Sequence, residues 1–233
     1  MRKAVYFLAF FLFLGYFSMA QVRRAKNQPN YDYQRIHFGF LIGFNQFSFK
    51  TEPIANLSET DSILSVNSAN SKGFSLMIIS DLRLSNHLNL RFEPGLSYLQ
   101  RDLIYTLDYQ VSNQFVEERR SVESTLVELP VLIKFSSNRV NNHRAYLIGG
   151  VKYNIDMSSQ KDVEVKELFK LKQTDYAVEY GVGWDFYFEY FKFSPQIKAS
   201  YGFNNLLVPD GSVFTNSIER INNRAVYLNF TFE

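Results

Sequence analysis

The 233 residues contain no cysteine, which excludes disulfides, thiol catalysis, thiolate metal ligation and a lipidated cysteine after export. Histidine is scarce: His37, His87 and His143 are the only three, and none stands at a metal-ligand spacing or beside a serine in a nucleophile arrangement. A Gly-rich phosphate loop, a nucleophile elbow and a zinc motif are all missing. The residues therefore nominate no catalytic, cofactor-binding or metal-binding group. Excess charge is absent too. Lys and Arg number 25 against 23 Asp and Glu, and removing Arg2 and Lys3 leaves 23 against 23, with no basic patch of the kind that binds nucleic acid. Beyond Phe17 no apolar run is long enough for a membrane helix.

The first twenty residues pair Arg2-Lys3 with an apolar run from Ala4 to Phe17 and close on Ser18-Met19-Ala20. This is the pattern of a secretory signal peptide cleaved before Gln21, and at about fourteen residues the run is short for a spanning helix. Gln21 to Gln34 has no periodicity and little hydrophobicity, and is expected to be a mobile basic leader in the periplasm. Residues 35–233 form one further domain.

That domain is rich in aromatics, at 17% of the chain, while its mean hydropathy lies slightly below zero. The combination is expected if apolar and polar residues alternate. In Tyr176 to Phe186 the alternation is strict: Tyr176, Val178, Tyr180, Val182, Trp184 and Phe186 share one strand face, and Ala177, Glu179, Gly181, Gly183 and Asp185 the other. The stretch is also about the length that a tilted membrane strand requires.

The same two-faced design recurs along the chain. Ile36 to Asn45 begins it, and Phe74 to Arg83 follows after a polar connection from Lys50 to Ser71. Leu88 to Tyr98 comes next, with a bulge or local distortion expected at Pro94, which has no N–H for the ladder. A charged connection from Arg101 to Arg120, strand-like through Leu103 to Tyr109, leads to Leu126 to Phe135 and then Ala145 to Ile155. Asp156 to Gln173 is a long loop, within which Val163 to Leu171 is open between a short helix and a strand extension. After Tyr176 to Phe186 come Phe191 to Gly202, a long loop from Asn204 to Arg220, and Val226 to Phe232.

Eight strands separated by alternately long and short connections have the rhythm of a membrane barrel with its N-terminus in the periplasm. Lipid offers no hydrogen bonds, so a spanning sheet must close on itself. The fold expected is all-β: an eight-stranded antiparallel transmembrane up-and-down β-barrel with long extracellular loops and short periplasmic turns, integral to the outer membrane. Phe38, Tyr98, Phe135, Tyr153, Trp184, Phe191, Tyr201 and Phe230 stand near strand ends, where the interfacial girdles belong.

At this strand number side chains nearly fill the interior. Alternation turns Asp81, Glu93, Glu128, Glu179 and Asp185 inward together with Arg83, Arg91, Lys134, Lys152, Lys192 and Lys198. Near-balanced charge in a narrow lumen favours mutual pairing, since an unpaired buried charge costs several kcal/mol. These residues are expected to form an interior polar network with a structural role that plugs the barrel. His87 and His143 are expected to be solvated turn residues at the periplasmic rim, and His37 an interior hydrogen-bonding residue.

Several segments are familiar. Ile36-His37-Phe38-Gly39-Phe40-Leu41-Ile42-Gly43-Phe44-Asn45, followed by Phe47-Ser48-Phe49-Lys50, resembles the first strand of PorT-type proteins of Bacteroidetes. Leu90 to Tyr98, Val127 to Phe135 and Tyr146 to Tyr153 are similar to segments of the wider outer-membrane barrel family that contains them. The resemblance implies a component of the type IX secretion and gliding-motility machinery, with other secretion-machinery proteins and outer-membrane lipid as partners. It implies no cofactor and no catalytic residues, and neither nucleic acid nor a small-molecule substrate is expected. The alternatives are a stand-alone surface barrel for adhesion or envelope integrity, and a lipid A-modifying barrel enzyme.

Overall fold

The computed structural model describes residues 25–54, 63–69, 71–109, 114–158, 171–209 and 218–233. Its strands are β1 (Ile36–Pro53), β2 (Ile63–Ala69), β3 (Ser71–Arg83), β4 (Leu88–Phe92), β5 (Gly95–Tyr109), β6 (Gln114–Ser136), β7 (His143–Asp156), β8 (Thr174–Tyr187), β9 (Lys192–Gly202) and β10 (Ile218–Phe232). All pair antiparallel. Because β1 bonds β10 on one edge and β3 on the other, the sheet closes into a barrel and leaves no edge for lipid to face.

The ring has eight places rather than ten. β2 prolongs β3 and pairs with the far end of β5, while β4 and β5 are two halves of one strand lying between β3 and β6. The break between those halves is at Pro94, a local distortion of the strand as expected there, without the extra residue of a bulge. Asp81↔Arg91 and Met77↔Gly95 keep one register on β3, and Phe92↔Val131 and Gly95↔Glu128 keep one register on β6. The Pro94 carbonyl still accepts from Ile78 N at 2.9 Å, and the Pro130 carbonyl from Glu93 N at 3.2 Å. Each proline removes one donor, and the ladder continues past it without an inserted residue.

Strands also run further than the apolar pattern alone indicates. β5 and β6 stay paired from Gly95↔Glu128 to Tyr109↔Gln114, so most of the connection expected over Arg101 to Arg120 is a hairpin. It extends well past Leu126↔Asp156, the last pair of β6 with β7. Val163 to Leu171 lies outside the described residues apart from Leu171, which makes an isolated bridge to Leu207.

The opposite end is built from tight turns. Ser85 Oγ accepts from Leu88 N at 3.1 Å in the first, the left-handed Asn141 (φ 52°) sits in the second, and Phe188 N bonds Phe191 O at 3.0 Å in the third. Side chains alternate as a two-residue period requires. On β8, Tyr176, Tyr180 and Val182 are exposed, whereas Glu179 and Asp185 are buried. Fourteen residues of β8, tilted as barrel strands are, cover ~35 Å, more than the apolar band of an outer membrane. Aromatic pairs mark both borders of that band: His143–Trp184 and Phe188–Phe191 at the short-turn end, Tyr153–Tyr176 and Tyr180–Tyr201 towards the long-loop end.

Candidate functional site: the lumen and its two mouths

Inside the barrel, residues that alternation turns inward meet across the lumen in two linked charge clusters. The one nearer the short turns is centred on Arg91 and Asp185. Arg91 Nη2 lies 2.7 Å from Asp81 Oδ2 and 2.7 Å from Glu233 Oε1. Glu233 turns its other oxygen to Lys192 Nζ at 2.8 Å. Asp185 receives Lys134 Nζ at 2.9 Å, Arg144 Nε at 2.9 Å and Ser194 Oγ at 2.7 Å. Lys134 also caps the Tyr146 ring, 3.8 Å from its centroid.

Arg91 Nη1 reaches Glu93 at 3.5 Å and so joins this cluster to the next. There Lys198 bridges Glu93 at 2.7 Å and Glu179 at 3.2 Å, and Lys152 reaches Glu179 at 2.8 Å. Tyr227 completes it, its hydroxyl accepting from Lys152 Nζ at 2.7 Å and donating to Glu128 at 2.9 Å. These side chains are 0–2% exposed, Arg144 at 11% apart. Each charged group has an opposite partner, which is what offsets the several kcal/mol that dehydrating an ion costs.

Ten of the eleven charged residues that alternation selects are thus brought together. Arg83 is not among them. It stands at the last residue of β3, beyond the floor of the lumen, and its guanidinium donates to Ser85 O at 3.3 Å and Asn86 Oδ1 at 2.6 Å. Its place in the network is taken by Arg144. Glu233 and Tyr227 are further members that counting charges on the central strands does not find. Arg144 and Glu233 were legible by continuing the period: Arg144 precedes the inward Tyr146 by two, and Glu233 follows the inward Thr231 by two.

Each mouth is covered. At the long-loop end Leu171, Leu206, Leu207 and Ile221 are buried, with Leu206 N bonded to Ile221 O at 2.9 Å. Below them a cavity of about 10 Å³ beside Asn154, Asp156 and Asp175 has room for about one water molecule. At the short-turn end the cover is residues 25–34, the segment expected to be a mobile leader. Asn27 donates to Tyr187 O at 3.0 Å and Gln28 to Phe188 O at 3.1 Å. A 3-10 turn, Tyr31–Tyr33, lays the Tyr31 ring on His37 with centroids 3.9 Å apart. Tyr31 OH donates to Glu233 at 3.1 Å, and Asp32 pairs with Arg139 at 3.2 Å and Arg144 at 3.4 Å. Polar side chains, invisible to a periodicity argument, dock this stretch.

Burial, and after it the negative charge of Glu233, raises the Tyr31 phenol far above its ordinary value. The group therefore stays protonated and keeps donating at any pH the membrane meets. Tyr31→Ala removes both that bond and the stack on His37. Amide hydrogen exchange of residues 25–34 is expected to rise to near the free-peptide rate, while that of β8 and β9 holds; unchanged protection of 25–34 would show that Tyr31 does not anchor the segment.

The histidines stand apart from one another. His37 packs in the lumen against Tyr31 by ring stacking, His87 Nδ1 meets Ser136 O at 2.9 Å, and His143 stacks with Trp184. Among the described residues no three His, Cys, Asp or Glu are grouped to hold a metal ion.

An eight-place barrel with an apolar wall, aromatic borders and a lumen filled by paired charges is a small outer-membrane barrel. The chain belongs to the outer membrane protein beta-barrel domain family, whose model matches residues 19–208. Among solved structures it is similar to the Neisserial surface protein A, NspA, at 12% identity and a TM-score of 0.45 over 85% of this chain and 98% of that one. OprG of Pseudomonas aeruginosa is 8% identical with a TM-score of 0.49, over 85% and 95% of the two chains. The attachment invasion locus protein Ail of Yersinia pestis, solved with the heparin analogue sucrose octasulfate, is 11% identical with a TM-score of 0.37, over 85% and 99%. No curated protein matches the chain in sequence.

Proposed function

We propose that this barrel is a non-conducting, non-enzymatic component of the type IX secretion and gliding-motility machinery, acting through protein contacts. The export signal is removed before Gln21, the short turns and the docked 25–34 segment face the periplasm, and the long-loop end faces outward. The observation that carries the reading is the closed lumen. Charged side chains fill it and both mouths are covered, so neither solutes nor cargo pass through, and what remains for interaction is the rims and the outer wall. The placement in this machinery rests on the PorT-type resemblance of Ile36 to Lys50.

Deletion of the gene is expected to stop secretion of type IX cargo while the outer membrane stays intact, with secretion restored by the full-length chain. Normal secretion in the deletion strain would remove this role.

The β5–β6 hairpin favours a second reading, a surface barrel for adhesion, because it projects past the neighbouring β7. Shortening it between Arg101 and Arg120 separates the two. Adhesion fails if the hairpin is the working part, whereas secretion continues if the contacts lie at the periplasmic rim.

A further inference from the structure

The two charge clusters of the lumen balance their own charges, but the short-turn mouth does not. A cleft of about 490 Å³ lies there between the 25–34 segment and the turns that follow β3 and β6. Lys26, Arg83, Arg139 and Arg144 line it, and Asp32 is the one carboxylate among the lining residues. Asp32 is already engaged by Arg139 and Arg144. Arg144 belongs to the lumen as well, through Asp185. Counted in the two clusters, it joins Arg91, Lys134, Lys152, Lys192 and Lys198 against Asp81, Glu93, Glu128, Glu179, Asp185 and Glu233, six against six, while Asp156 and Asp175 lie apart from them at the long-loop end. The cleft is left with Lys26, Arg83 and Arg139 facing Asp32 alone. Among the described residues Arg83 meets only neutral oxygens.

We propose that this cleft receives an acidic segment of a partner protein on the short-turn side of the membrane. The inference rests on the reading above for its partner and compartment. Three features select the occupant. The floor is made by the lumen-facing His37 and Asn89, so the cleft opens along the barrel axis and away from the ring of lipid headgroups. Arg139 is spent on Asp32 and on the oxygens of Asn27, Asn141 and Asn142, so Lys26 and Arg83 carry the excess charge, and the Arg83 guanidinium keeps N–H donors beyond those that meet Ser85 and Asn86, the kind of donor that matches a carboxylate. Tyr33 also lines the cleft, 79% exposed, and Tyr and Arg are residue types in which protein interfaces are enriched.

The test uses the full mature chain in nanodiscs and a rhodamine-labelled octapeptide rich in glutamate, with a glutamine twin as the neutral probe, read by fluorescence anisotropy. The wild type is expected to bind the acidic peptide and not the twin, more weakly as salt rises. The double charge reversal Lys26→Glu with Arg83→Glu is expected to weaken binding at least about tenfold. Arg224→Glu, an exposed cation of β10 beside Tyr201, leaves binding unchanged. A gel-mobility shift on heating shows that each variant still folds. Equal binding by the double variant, binding of the twin, or no binding by the wild type overturns the proposal. Full displacement by millimolar phosphate at constant ionic strength also overturns it, in favour of a small-anion site. The gene deletion keeps the two claims separate: lost secretion with no peptide binding removes the cleft and keeps the role, and peptide binding with normal secretion does the reverse.

Discussion

Arg91→Met is expected to destabilise the barrel by about 3–5 kcal/mol, the range for removing one partner of a buried ion pair. Arg91 is 0% exposed, and its two Nη groups hold Asp81, Glu93 and Glu233. Methionine fills much of the same volume, so the loss reads as stranded carboxylates rather than as a void. Urea unfolding in lipid vesicles measures it, followed by the emission of Trp184, the single tryptophan, which faces outward on β8. Adding Asp81→Asn should recover part of the loss, because one of the stranded charges is then gone. Arg91→Lys recovers little: an ammonium cannot present the planar fork that meets Asp81 and Glu233 together. The exposed pair Lys50–Glu52, 2.7 Å apart with both side chains more than 40% exposed, sets the contrast, and Lys50→Ala is expected to cost no more than about 1 kcal/mol. Equal losses at Arg91 and Lys50 would mean that the lumen is hydrated enough to screen its charges.

Gly181→Leu is expected to prevent or severely weaken assembly, and Gly183→Leu to do less harm that is reversible by a second change. Although the two glycines are neighbours on the inward face of β8, different atoms crowd them. A Cβ at Gly181 would run into the carbonyl of Ile197 and, at 2.9 Å, the Cα of Lys198 on β9, which are backbone atoms that cannot step aside. The three atoms nearest a Cβ at Gly183 all belong to the Tyr146 side chain. Overpacking of this kind typically costs about 1–3 kcal/mol and more where nothing can yield. Tyr146→Ala should restore much of the stability of Gly183→Leu, since the leucine then occupies the vacated space, and should do nothing for Gly181→Leu. The same unfolding assay reads all four variants. Rescue of Gly181→Leu, or a Gly183→Leu loss untouched by Tyr146→Ala, contradicts this packing.

Much of the fold was legible because a strand has a period of two and a membrane barrel has one polar and one apolar face. The period assigns Lys134, Lys152 and Lys198 to the lumen as firmly as it assigns Val131, Val151 and Ile197 to lipid, and it finds the short turns at Ser85 and Asn141. It says nothing about which charges meet. Asp81 and Arg91 are cross-strand neighbours in a tight hairpin and could be paired by inspection, but Lys198 reaches Glu93 across 105 positions of sequence. Strand ends were the weakest part. Beginning β7 at Ala145 rather than His143 hides Arg144, and stopping at Phe232 hides Glu233. Arg83 shows the opposite error, since the alternation continues formally past the point where the lumen stops. The docked segment had no period to read. Asn27, Tyr31 and Asp32 are held by hydrogen bonds to residues far away in the sequence, and that is tertiary information.

Single-channel recording in planar bilayers tests the central claim, a lumen closed by its own side chains. The full mature chain is expected to give no stable conductance. Deletion of residues 25–34 should leave that silence unchanged, because the clusters around Arg91 and Glu179 fill the barrel without help from the segment that covers its mouth. Long-lived, stepwise openings from the intact protein would contradict the account.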